Sequence, residues 1–75
     1  MQVKIEYCVP CGYLPRAESL AAEIKKKYGA DATLVKGEKG IFDVYVEGKL
    51  IFSRHQEGGR FPEPKDIFDK VGATH

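Results

Sequence analysis

The chain has 75 residues, 43% of them apolar and 31% charged, with a formal net charge of +1. A chain of this length buries only about 60 to 65% of its unfolded surface, which suits one domain over residues 1–75 and excludes a second. The interspersed charges exclude a disordered chain and supply no field to recruit a polyanion.

The one basic cluster, Lys25-Lys26-Lys27, lies where a helix should end and complements the helix dipole, so no nucleic-acid partner is expected. Strand character begins by about Val3, leaving no room for a charged segment followed by an apolar signal core. No apolar run approaches the ~20 residues of a membrane helix. The expectation is a cytoplasmic protein with no membrane partner, a monomer or weak homodimer, in a compartment that keeps thiols reduced.

Val3, Ile5 and Tyr7 alternate with Gln2, Lys4 and Glu6, the period of a strand with one buried face. Cys8 to Leu14 reads as a loop, and Pro15 suits the first turn of a helix, where its missing N–H costs nothing. The helix is predicted to start at Leu14 or later, because a start at Pro10 would drive the Pro15 ring into the Cys11 carbonyl at a cost of about 3 kcal/mol. Ala17, Leu20, Ala21, Ile24 and Tyr28 form its apolar stripe, Glu23 and Lys27 a favourable i, i+4 pair, and Gly29 its stop.

Ala32 to Lys36 is rich in β-formers and, reached through a helix, should lie parallel to the first strand. After a turn at Gly37 to Gly40, Phe42, Val44 and Val46 share one face of a third strand and Ile41, Asp43 and Tyr45 the other. Glu47-Gly48 predicts a two-residue hairpin into Leu50 to Ser53. Arg54 to Glu63 is the longest irregular stretch, and Pro64 opens a second helix with Ile67, Phe68 and Val71 on its stripe.

The order is therefore β-α-β-β-β-α, an α/β fold with strands arranged 2-1-3-4. The polar face of the first strand places both helices on one side of a four-stranded mixed sheet, in two layers, with Lys4, Glu6, Asp43 and Tyr45 facing solvent and Lys4 able to pair with Asp43. The predicted core is Val3, Ile5, Ala17, Leu20, Ala21, Ile24, Leu34, Val44, Leu50, Phe52, Ile67 and Phe68.

Chemistry points to Tyr7-Cys8-Val9-Pro10-Cys11-Gly12, which holds both cysteines between a strand and a helix. Two thiols separated by two residues can switch between dithiol and disulfide with little movement elsewhere, and a nearby helix N-terminus favours the attacking thiolate. The rivals are weaker. A ring this short removes little chain entropy as a static bridge, and zinc would need further ligands from His55 and the terminal His75 alone. No metal and no cofactor is expected.

Tyr7 and Tyr13 flank the thiols and, with Val9, Pro10 and Gly12, are candidates to line a substrate groove; core packing is the competing role for the tyrosines, since Tyr7 is in phase with Val3 and Ile5. His55 reads as a solvated loop residue. Arg54 and Arg60 could attract an anionic thiol such as glutathione, although scattered loop charges are commonly only solubilising. Two function classes stand: a thiol-disulfide oxidoreductase acting on protein thiols and disulfides or glutathione, and an interaction module whose cysteines report redox state to a partner without turnover.

The C-x-x-C after a first strand in this element order resembles a reduced thioredoxin-like fold. Tyr7-Cys8-Val9-Pro10-Cys11-Gly12-Tyr13 with Pro15 and Arg16, Phe42-Asp43-Val44, Gly48-Lys49-Leu50-Ile51-Phe52-Ser53 and Gly58-Gly59-Arg60-Phe61-Pro62 resemble, over nearly the whole chain, the selenoprotein W-like group, also called the Rdx or selenoprotein W, T and H family. The resemblance implies a glutathione-linked thiol oxidoreductase with Cys8 and Cys11 as its catalytic pair. It departs from thioredoxins proper in having Gly37 to Gly40, and no proline, before Ile41.

Selenium-containing relatives carry selenocysteine where Cys11 stands, which implies a weaker nucleophile here. The same correspondence makes Cys11 the attacking sulfur and Cys8 the resolver, whereas analogy with thioredoxin would reverse them.

Overall fold

β1 (Val3–Tyr7) and β3 (Phe42–Val46) form the middle of a four-stranded sheet in the order β2-β1-β3-β4, with β2 (Ala32–Lys36) parallel to β1 and β4 (Lys49–Ser53) completing an antiparallel hairpin. α1 (Leu14–Tyr28) crosses from β1 to β2, and α2 (Pro64–Thr74) follows β4. These elements come from a computed structural model that describes residues 2–74. Both the element order and the strand order follow the sequence pattern.

Alternation decides which face is covered. Val3, Ile5 and Tyr7 of β1 and Phe42, Val44 and Val46 of β3 join Ala17, Leu20 and Ile24 of α1 and Ile67 of α2 in one core, placing both helices on the same side. Phe42, Phe52, Ile5, Ile24, Ile67 and Val44 are fully buried, and each such side chain stabilises the fold by about 1.5–3 kcal/mol. Ala21, Leu34 and Phe68 pack at the margin of this core. The Val71 side chain, also expected there, lies outside the described residues.

Helix α1 starts at Leu14 with Pro15 in its first turn, as the steric argument predicts, and stops where Gly29 takes φ 70° and its N–H donates to the Lys25 carbonyl (2.8 Å). The expected Glu23–Lys27 ion pair does not form; the Lys27 ammonium instead lies 5.1 Å from the Phe68 ring centre. Glu47 (φ 53°) and Gly48 (φ 78°) build the two-residue hairpin turn, whose left-handed pair matches the twist of the strands.

Three expectations on the sheet fail, two of them for a reason of register. Val44 pairs with Phe52 but Tyr45 with Leu50, so Ile51 is an extra residue in β4. This bulge buries Ile51 and Phe52 together and turns Leu50 outward, 40% exposed, where strict alternation had placed it in the core. Lys4 lies opposite Tyr45 and not Asp43, with its ammonium 4.5 Å from the tyrosine ring centre and 3.2 Å from the Glu6 carboxylate. Asp43, expected in solvent, is 8% exposed and faces Glu6 on one side and buried Ser53 on the other, with its Oδ1 lacking a hydrogen-bond partner.

Candidate redox site

The site begins where β1 leaves the sheet. The Cys8 N–H donates to the Ile41 carbonyl (3.0 Å), one bond beyond the regular ladder, and the Gly37 N–H donates to the Tyr7 carbonyl (2.8 Å). The strand end is thus clamped from both sides. Gly37 must lack a side chain, because a Cβ there would collide with the Ile41 side chain and press on Glu6.

From this anchor the chain turns tightly. The Gly12 N–H donates to the Val9 carbonyl (3.1 Å) and the Tyr13 N–H to the Cys8 carbonyl (3.4 Å), with Gly12 at φ 76°. That left-handed turn returns Cys11 to Cys8, with Cα atoms 5.4 Å apart and the two sulfurs joined as a disulfide. Cys8 is fully buried, whereas Cys11, Pro10 and Gly12 are exposed and Val9 is 43% exposed. A redox pair with one sheltered and one presented member results.

Helix α1 begins three residues after Cys11, and Tyr13 at its N-cap makes no side-chain cap. The first turn contains no acidic residue. Its unpaired N–H groups and the positive pole of the dipole therefore lie beside the disulfide loop without a built-in counter-charge.

Tyr13 is half-buried and anchors an aromatic cluster. Its ring meets Phe61 edge-on at 4.7 Å and Phe42 at 6.3 Å, and Phe42 meets Phe61 at 5.5 Å. Two guanidinium groups lie over the rings of this cluster, Arg16 at 4.1 Å from the Phe61 ring centre and Arg54 at 5.0 Å from Phe61 and 5.5 Å from Tyr13. Arg54 also donates through Nη1 to the Gly40 carbonyl (3.5 Å), and its buried Nε–H has no partner.

A groove of ≈ 450 Å³ opens from this cluster, with Arg16, Leu20 and Glu23 of α1 on one side, Phe61 and Pro62 on the other, and buried Phe42 at its base.

The residues singled out from the sequence divide accordingly. Val9, Pro10 and Gly12 belong to the exposed turn that carries the disulfide and Tyr13 is half-buried beside Phe61, but none of them lines the groove, and Tyr7, 7% exposed, packs in the core. Arg54 is at the site. Arg60 is not, since Asp66 (2.8 Å) and Glu57 (3.0 Å) engage it and its guanidinium lies over Phe52. His55 is exposed with its imidazole beside Gly40.

Phe61, Arg16 and Glu23 escaped the sequence reading as groove residues. Spacing could not unite positions 16, 42 and 61; only the aromatic character of Phe61 within a Gly/Pro-rich loop offered a signal. Among the described residues no group of three or more His, Cys, Asp or Glu side chains could hold a metal ion, and no helix is long and apolar enough to cross a membrane. His75, the other sequence candidate for a metal ligand, lies outside the described residues.

Comparison with known proteins agrees with this geometry. The chain is 33% identical over 72 residues to migration and invasion enhancer 1 of Bos taurus and of Mus musculus; the match covers 95% of this chain and 62% of those proteins. The chain thus spans less than two thirds of their length.

Among solved structures, it superposes on a Bordetella parapertussis protein with a TM-score of 0.90 at 31% identity, covering 99% of this chain and 96% of that one. A selenoprotein W-related protein from Vibrio cholerae gives a TM-score of 0.88 at 30% identity, covering 97% and 94%. The Rdx family model matches residues 2–73. With its C-x-x-C turn between β1 and α1 and a family match over nearly all of its length, the chain belongs to the Rdx family.

Proposed function

We propose that the protein is a thiol-disulfide oxidoreductase in which Cys11 attacks and Cys8 resolves. The observation that carries this reading is the contrast in burial, since Cys8 is fully buried and Cys11 is exposed on the same 5.4 Å turn. A substrate sulfur can reach only an exposed partner, while a resolving thiol needs access to the mixed disulfide alone.

In the dithiol form, the Cys11 thiolate attacks one sulfur of a substrate disulfide. A Cys11–substrate disulfide forms, and the other substrate sulfur leaves as a thiolate and takes up a proton. The Cys8 thiol then loses its proton and attacks Cys11 Sγ, expelling the remaining substrate thiolate and forming the Cys8–Cys11 bond. Two electrons pass from the dithiol to the substrate disulfide. Two molecules of glutathione, or one protein dithiol, in a reducing compartment such as the cytoplasm reverse the sequence and restore the dithiol, leaving as glutathione disulfide or as the oxidised protein.

The chain's own contribution is positional. The Ile41 and Gly37 contacts fix the Cys8 end, the Gly12 turn brings Cys11 back to it, and the uncapped start of α1 favours negative charge on Cys11. Substoichiometric protein in an insulin-reduction or glutathione-disulfide assay, with a thiol reductant present, tests this function. Many turnovers per molecule are expected; one turnover at most would leave a redox-reporting interaction module in its place.

A further inference from the structure

The groove along α1, which starts at Pro15 in the helix's first turn, carries charge at both ends. Arg16 lies at the end nearer the cysteines and Glu23 two helical turns further along α1, a rise of about 10.5 Å. Between them α1 contributes Ser19 and Leu20, and the base and far wall, Phe42, Phe61 and Pro62, are apolar or aromatic. Among the described residues neither Arg16 nor Glu23 forms an ion pair, whereas Arg60, Lys25 and Lys4 each have a carboxylate partner.

Arg16 is held in a way that leaves its recognition chemistry unused. The Arg16 guanidinium lies over the Phe61 ring, 4.1 Å from its centre, and its N–H donors remain available to a carboxylate. Arg54 lies over the same Phe61 and carries a buried Nε–H without a partner, so a second cation adds to the positive potential there. A cation in the first turn of a helix also opposes the dipole, an unfavourable arrangement that an anion bound at Arg16 would relieve.

We propose that this groove docks an extended peptide segment of the client protein, in which an acidic residue meets Arg16, one or two apolar residues lie against Phe61 and Pro62, and a basic residue meets Glu23. An extended chain advances about 3.3 Å per residue, so two or three residues together with their side chains span the separation. The inference rests on the thiol-exchange reading and names its client class: protein disulfides flanked by an acidic–apolar–basic segment, oriented with the acidic residue towards Cys11.

The test uses the full chain in its disulfide form and two cysteine-free, end-blocked fluorescent peptides, one Glu-Leu-Leu-Lys and one with the charges exchanged, Lys-Leu-Leu-Glu. Fluorescence anisotropy is expected to show binding of the first at least about tenfold tighter than the second, and weaker at high salt. The double variant Arg16→Glu, Glu23→Arg is expected to invert that preference; both positions are exposed, and circular dichroism checks the fold.

Equal binding of the two peptides, no binding of either at millimolar concentration, or no inversion in the double variant overturns the proposal. So does displacement of the peptide by glutathione at a lower concentration than by the unlabelled peptide, which would assign the groove to a small thiol. Reduction of the small neutral disulfide of 2-mercaptoethanol by the wild-type dithiol reports the thiol chemistry separately. Failure of the groove is thereby distinguished from failure of the redox reading.

Discussion

Helices α1 and α2 both carry a proline in their first turn, but only α2 has its start completed by acidic side chains. At α2, Asp66 accepts the Glu63 N–H (2.9 Å) and the Arg60 guanidinium (2.8 Å), and Glu57 takes the other branch of Arg60 (3.0 Å). The dipole, the Glu63 N–H and the cation are thus answered within the chain. At α1 no acidic residue occupies the first turn, Tyr13 supplies no cap, and Arg16 lies over Phe61 with no carboxylate. The completed start serves the fold, and the incomplete one adjoins Cys11 and leaves positive potential for a thiolate or an acidic ligand.

The largest effects come from the sulfurs themselves. Cys11→Ser is expected to abolish exchange, since the serine hydroxyl does not attack a disulfide at neutral pH. Cys8→Ser should still attack but stop at the mixed disulfide, visible by mass spectrometry as a trapped adduct. If Cys8→Ser abolishes adduct formation and Cys11→Ser accumulates it, the roles are exchanged.

Next come the supports of the site. Phe42→Ala removes a fully buried ring that joins the core to Tyr13 and Phe61, and chemical denaturation should show a loss of about 3–5 kcal/mol. Gly37→Ala forces a Cβ against Ile41 and should cost about 1–3 kcal/mol. Because Gly37 also holds the end of β1, hydrogen exchange of the Cys8 amide should rise in the same variant.

Much of this was legible in the sequence because local steric rules and global pattern agree. Pro15 set the start of α1, Glu47-Gly48 set the hairpin, and the phase of Val3, Ile5 and Tyr7 set the covered face of the sheet. What was not legible depends on register or on contacts between distant segments. One extra residue at Ile51 exchanges the faces of Leu50 and its neighbour, and nothing in Lys49 to Ser53 marks where the bulge falls.

The pairing of Lys4 with Tyr45 in place of Asp43 likewise follows from where β1 meets β3. At the site, the two cysteines announced themselves by spacing, while Arg16, Arg54 and Phe61 act together only because α1, the loop after β4 and the segment before α2 converge on Phe42. Such a cluster has no local signature.

Smaller perturbations can make the two helix starts alike. Pro15→Glu gives α1 the acidic first turn that α2 has, and should slow alkylation of Cys11 at neutral pH by about two- to fivefold as the dipole is answered internally. In α2, the hydrogen bonds from Arg60 and from the Glu63 N–H hold the Asp66 carboxyl below its ordinary value of 3.8. A carboxyl lowered in the folded state stabilises above its unfolded value, and that contribution fades as pH falls through the lowered one. The wild-type protein should therefore lose part of its thermal stability as pH drops below about 4, and Asp66→Asn should flatten that part of the profile. An exposed site makes this the smallest effect of the set.

The contrast between an exposed Cys11 and a buried Cys8 underlies the proposed chemistry. That chemistry is tested most directly by treating the reduced protein with substoichiometric iodoacetamide at several pH values and mapping the adduct by mass spectrometry. Early modification of Cys11, increasing with pH while Cys8 stays unmodified, is the predicted result. Early modification of Cys8 with Cys11 protected would instead make Cys8 the attacking sulfur.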